Sequence, residues 1–141
     1  MTDCKLQLII TTPLRTVYDS QVDQLTVTTS EGEITIHPGH VPLVSTLEIG
    51  QVMVKKDGIE IYHAIDGGIL EVRHNNHVII LSDRSENADD IDLARAKEAL
   101  ERAQQFMEGK HHEEDVDFAK LERDIARELN RVKVSQKGSR K

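Results

Sequence analysis

The sequence predicts an α+β chain, an N-terminal β-sandwich followed by an antiparallel two-helix hairpin. Three observations carry that reading. Apolar residues recur with period two from Lys5 to about Leu81. Turn-forming pairs such as Asp57-Gly58 separate these runs. After Ser82 the apolar spacing changes to three and four, the period of an amphipathic helix. The expected division is residues 1–85 for the sandwich and 86–141 for the hairpin.

The strands follow in order. Leu6, Leu8 and Ile10 alternate with Lys5, Gln7 and Ile9, as a strand with one buried face requires. Val22, Gln24 and Thr26 alternate with Asp23, Leu25 and Val27, and Ile34 and Ile36 alternate with Glu33 and Thr35. Val52 and Val54 flank Met53, and Ile59 and Ile61 follow beyond Asp57-Gly58. Both residues of that pair tolerate positive φ, so it signals a tight hairpin. Asn75-Asn76, between 69–73 and 78–81, signals a second, while Gly67-Gly68 and Thr29–Gly32 supply further turns. Many short strands at close spacing predict two packed sheets.

Beyond the sandwich, Asp89 and Asp90 are candidate N-caps. Leu93, Ala96, Leu100, Ala103 and Met107 form one apolar seam, and Gly109 with the His-His-Glu-Glu after it breaks the run. A second helix is expected from Asp115 or Asp117, with Phe118, Leu121, Ile125, Leu129 and Val132 as its seam. Two narrow seams and a short connection predict an antiparallel pair. The pair has few large apolar groups, so it must lean on something else or move.

Composition narrows the function. The 141 residues carry a net charge of −7, which disfavours a nucleic-acid partner. The basic run Arg131–Lys141 reads as a solvated tail. One cysteine, Cys4, permits no internal disulfide. The N-terminus lacks the basic start of a signal peptide, and no run approaches the ~20 apolar residues of a membrane span. A soluble chain is expected, meeting a membrane only through a partner.

Histidines cluster in turns: His37 and His40 around Pro38-Gly39, His74 and His77 around Asn75-Asn76, and His111-His112 between the helices. None has zinc-site spacing and no metal is expected. No nucleophile elbow, P-loop or dinucleotide fingerprint occurs, so nothing supports an active site. Lys120, Arg123, Arg127 and Arg131 cluster on one face of the second helix, opposite its apolar seam. The pattern alone leaves two readings open, a salt-bridged solvated face or a site for carboxylates or phosphates. On spacing alone, the segment IDLARA at 91–96 is an ordinary capped helix start.

Three stretches in this order, SEGEITIHPGHVPL at 30–43, DGGILEV at 66–72 with VIILSD after it, and DDIDLARAKEALERA at 89–103, resemble the epsilon subunit of the bacterial F-type ATP synthase. The likeness runs over nearly the whole chain. It implies a sandwich of about ten strands with two helices behind it. It implies a rotor subunit without an active site, placed with the gamma subunit on the c-ring below the catalytic head, at the cytoplasmic face of the bacterial membrane. Glu31, Gly32, His37, Pro38, Gly39 and His40 would dock on the c-ring or gamma, the two prolines of 38–42 stiffening a protrusion. Thr35 and His37 depart from the family's usual glycine and apolar or aromatic residue.

The resemblance also implies a mobile hairpin that inhibits ATP hydrolysis, with Lys120, Arg123, Arg127 and Arg131 reaching an acidic segment of a catalytic beta subunit. It implies ATP as a regulatory ligand rather than a required cofactor. Ile91, Asp92, Arg95 and Ala96 match the family's nucleotide motif, with Glu86, Arg127 and Arg131 at further contact positions. Lys120 stands where a strong binder carries arginine and lacks the bidentate fork. A stand-alone nucleotide sensor is the alternative.

Overall fold

The computed structural model describes residues 4–109 and 118–138. Eight strands run in order: β1 (Leu6–Thr11), β2 (Thr16–Val22), β3 (Gln24–Thr29), β4 (Gly32–Ile36), β5 (Leu43–Lys56), β6 (Ile59–Arg73), β7 (His77–Leu81) and β8 (Ser85–Asn87). Two helices follow, α1 (Leu93–Gly109) and α2 (Phe118–Gly138). The strands pair as β2-β1-β7-β6-β5-β3-β4, with β8 added on β6. All contacts along this path are antiparallel except β1 with β7.

Eight strands serve where about ten were expected because two are long. β5 has 14 residues and β6 has 15, and each runs through both layers. One layer is β2-β1-β7 with the 69–73 half of β6 and the 43–47 half of β5. The other is β8, β6 over 59–66, β5 over 49–56, β3 and β4. Counted by layer, each sheet has five members.

The crossing lies at Gly67-Gly68. The β5–β6 register passes from Leu47↔Gly68 to Ile49↔Asp66, and both glycines have positive φ, at 89° and 137°. A Cβ on Gly68 would fall 1.9 Å from the Leu81 carbonyl oxygen, so the backbone of β7 comes as close as glycine permits. The expected Asp57-Gly58 hairpin is present, with φ of 52° and 81° between the paired Lys56 and Ile59. Asn75 and Asn76 are likewise left-handed in the β6–β7 connection.

One apolar cluster fills the space between the layers. Leu6, Leu8, Ile10, Leu70 and Ile80 come from one sheet and Leu25, Ile36, Val52, Val54 and Ile65 from the other. Burying each such side chain contributes about 1.5–3 kcal/mol, and the alternation along β1 places its buried residues as the sequence predicted. Lys5 pairs with Asp23, whose other oxygen accepts the Asp57 N–H at 2.8 Å, tying the start of β1 to two turns.

α1 packs its expected seam: Ala96 is buried, and Leu93, Leu100, Ala103 and Met107 are half-buried. On α2, Leu121 is buried and Ile125 and Val132 are half-buried, but Leu129 is 40% exposed. The side chain of Phe118 and the connection holding His111-His112 fall outside the described residues. The helix cap differs from the expectation at Asp89 or Asp90. Those residues form a 3-10 turn over Ala88–Asp90, capped by Asn87, while Asp92 Oδ1 accepts the Arg95 N–H at 3.1 Å and caps α1.

Candidate functional site

The candidate site is the seam between the hairpin and the β8-β6-β5 layer. Along the first half of β6, Ile61, His63 and Ile65 point inward, so Tyr62, Ala64 and Asp66 face outward. A second, small apolar cluster forms there, made of Ala64, Ala88, Ile91, Ala96 and Val134, with Tyr62 and Val132 against it. Ile91 and Ala96 of the 91–96 motif are therefore the apolar joint between helix and sheet. Asp92 and Arg95 are exposed, with Arg95 Nε 3.7 Å from the Asp92 carboxylate.

Around this small joint the contacts are polar. Asn130 donates to the Gly50 carbonyl at 2.8 Å, and Lys137 donates to the Gln51 side chain and lies over the Tyr62 ring. Arg127 Nε lies 3.0 Å from Asp66 Oδ2 without aiming its N–H at it, so that contact is an ion pair rather than an aligned hydrogen bond. Arg131 is held more firmly. Its Nη2 donates to Glu86 at 3.1 Å and its Nη1 donates to Glu128 at 2.9 Å. Burial pushes the Asp66 carboxyl upward from its ordinary value, against the downward pull of Arg127 and Arg84.

The basic face of α2 thus divides. Arg127 and Arg131 turn onto the sandwich, while Lys120 and Arg123 are exposed. The spacing correctly put this face opposite the apolar seam, but the solvated alternative does not hold for its second half. Apolar residues near 121–132 meet α1, and the charged side meets the sheet, so both faces of α2 are packed. Glu86 and Arg131 touch directly, while Arg127 pairs separately with Asp66. Lys120 begins seven residues before Arg127, about 10 Å along the helix.

Sequence reasoning missed Asp66, Asn130, Val134 and His63. Val134 lies on the same side of the helical wheel as Arg127 and Arg131, and that phase was its available signal. Asp66 gave none, because its partner is 61 residues away. His63 sits inside a strand pattern rather than a turn. It is buried, edge-on to Tyr18 with ring centroids 5.3 Å apart, and neither ring nitrogen finds a partner among the described residues. Burial pushes its pKa down to about 4, with Asp90 pulling the other way.

The docking candidates occupy two places. Thr29 donates to the Gly32 carbonyl and accepts the Glu31 N–H, shaping the β3–β4 turn. His37, Pro38, Gly39 and His40 follow the far end of β4, about 16 Å away by strand length. Gly39 donates to Asn76 Oδ1 at 2.7 Å, which seats that loop beside His74 and His77. Among the described residues no three metal-ligating side chains converge. No described helix is long and apolar enough to cross a membrane.

The sequence matches family models along nearly its whole length. Residues 5–88 match the β-sandwich domain of the ATP synthase delta/epsilon chain, and residues 89–136 match its long α-helix domain. The chain is 39% identical over 137 residues to the ATP synthase epsilon chain of Geotalea daltonii, covering 97% of this chain and 98% of that one. It is 40% identical over 126 residues to the ATP synthase epsilon chain of Bacillus mycoides, covering 89% and 92%. A chain in the Euglena gracilis mitochondrial ATP synthase structure has the same fold, with a TM-score of 0.75 at 22% identity over 96% of this chain and 83% of that one. The chain therefore belongs to the ATP synthase delta/epsilon chain family, among its epsilon chains, as a non-catalytic subunit of the ATP synthase.

Proposed function

We propose that the chain is a rotor subunit at the cytoplasmic face of the bacterial membrane, coupling c-ring rotation to ATP synthesis through gamma. Its hairpin inhibits ATP hydrolysis when it leaves the sandwich and presents its arginines to a catalytic beta subunit. One observation carries the regulatory half: α2 rests on the sandwich through ion pairs and single hydrogen bonds, with Val134 the one fully buried apolar contact there among the described residues. Such contacts contribute about 1 kcal/mol each and exchange readily for others of the same kind. Removing residues 92–141 from the assembled complex raises its ATPase rate; an unchanged rate overturns the inhibitory half.

For docking, the outer face of the β2-β1-β7-β6-β5 layer supports a gamma contact. Ile9, Ile79, Glu71 and Val44 lie in one cross-strand row, with Thr11, Leu81, Ile69 and Thr46 in the next. Val44 is 70% exposed and the paired Ile69 and Leu81 are each 47% exposed, exposed apolar side chains of the kind that gather at interfaces. The Glu31–Gly32 turn and the His37–His40 loop serve as two separate c-ring contacts.

A second reading, ATP as a regulatory ligand of the closed form, is favoured by a cleft of 310 Å³ in which Arg15 and Arg84 join Glu86 and Arg131. Calorimetry of the full chain with millimolar ATP tests it, and absence of both heat and chemical-shift change ends it.

A further inference from the structure

Each arginine on the packed side of α2 has two carboxylate neighbours of different origin. Arg127 meets Asp124 of its own helix at 3.4 Å and Asp66 of β6 at 3.0 Å. Arg131 meets Glu128 of its own helix at 2.9 Å and Glu86 of β8 at 2.8 Å. Asp124 and Glu128 travel with α2 wherever it goes. Asp66 and Glu86 belong to the sandwich and are left behind when the helix lifts. Opening therefore vacates one side of each guanidinium, and a vacated guanidinium fork recognises a further carboxylate bidentately.

We propose that Asp66 and Glu86 act as an internal substitute for an acidic partner: in the closed pose they occupy Arg127 and Arg131, and the hairpin is inhibitory only after these carboxylates release it. This rests on the inhibitory reading above and adds the autoinhibitory contact that governs it. The fit is specific in position. Asp66 immediately precedes the Gly67-Gly68 crossing, which sets its orientation, and Glu86 is fixed opposite Ala64 by the β8–β6 pairing. The Asp66 side chain is 13% exposed, so it is a carboxylate the fold shields with a guanidinium rather than with water. The trade is near balance, since opening exposes two carboxylates to water while the arginines gain equivalent partners elsewhere. A small bias between poses then moves the population widely.

The test uses the assembled ATP synthase carrying Asp66→Asn with Glu86→Gln, which keeps side-chain volume and removes charge. The clasp predicts that the hairpin is released and the ATPase rate falls by on the order of threefold to tenfold. In the complex lacking residues 92–141 the same pair of substitutions leaves the rate unchanged. Glu86→Gln alone gives an intermediate fall, which preserves the test if the double variant folds poorly. In the isolated chain, with Cys4→Ser, a Gln51→Cys/Lys137→Cys pair reports closure directly through its disulfide-formation rate. That rate drops by roughly tenfold when the two carboxylates are neutralised. If neutralisation leaves ATPase and cross-linking unchanged while truncation still raises ATPase, the clasp is overturned and the inhibitory reading stands. If truncation itself has no effect, both fall.

Discussion

A side chain at Gly68 has nowhere to go. The position has φ of 137°, and its Cβ would meet the Leu81 carbonyl at 1.9 Å. Gly68→Ala must push β7 away from β6 as well as strain its own backbone. We expect a loss of more than about 3 kcal/mol, read from urea unfolding of the isolated chain. Gly58→Ala, at a turn with open space around it, should cost about 1 kcal/mol by comparison. His63 supplies a pH signature of known sign. Its folded pKa of about 4 lies below the ordinary 6.5, so the unfolded chain takes the proton first as pH falls. Its contribution is fully present above pH 6.5 and is lost as pH drops toward 4, amounting to about 3 kcal/mol across that window. The difference in unfolding free energy between the native chain and His63→Phe should slope over that range and be flat above it. Parallel curves from pH 8 to 4 would remove His63 as the cause.

At the scale of elements, the helices show what local pattern can and cannot carry. α1 packs mainly on α2 and enters the sandwich joint through Ala96, all with one face, and its period named every seam residue. α2 touches two. Its apolar side was legible because Leu121, Ile125 and Val132 repeat every three to four residues. Its charged side stayed open between a solvated face and a carboxylate site because the acids that meet it, Asp66 and Glu86, lie far off in sequence. The strand count has a similar origin, since period two does not reveal that β5 and β6 each continue through a bend into the opposite layer. What the helix loses when its small joint is emptied follows from the same geometry. Val134→Ala removes two methyl groups from a closed apolar site, costing about 1–2 kcal/mol. Most of α2's apolar surface stays on α1, so the hairpin should loosen as a unit. Hydrogen exchange of α2 amides should accelerate by roughly tenfold while β1 and β7 amides keep native protection. Equal acceleration in the strands would mean that helix and sandwich unfold together.

Seen whole, the molecule uses its two outer sheet faces for opposite purposes. The β8-β6-β5-β3-β4 face is covered by the hairpin, mostly through ion pairs and single hydrogen bonds. The β2-β1-β7-β6-β5 face carries no helix among the described residues, and it presents the pairs Ile9–Ile79 and Leu81–Ile69 with Val44 beyond Glu71. The crossing at Gly67-Gly68 links these roles, because it reverses which residues of β6 point outward: Asp66 before it faces Arg127, and Ile69 after it faces away from the core. A permanent partner on the apolar face would leave the hairpin free to move on the other, as the proposed gamma contact and hairpin regulation together require. Ile69→Asp combined with Leu81→Asp places two charges in the centre of that face without touching the interior. Anchor residues of this size contribute about 1–3 kcal/mol each, so binding to purified gamma should weaken by roughly a hundredfold or more. Ile59→Asp is the control: it sits beside the Asp57-Gly58 turn, is 64% exposed, and lies in the layer that carries the hairpin. Gamma affinity should be unchanged there. If the Ile69/Leu81 variant binds gamma as tightly as the native chain while its thermal unfolding is also native, the uncovered face is not where gamma sits.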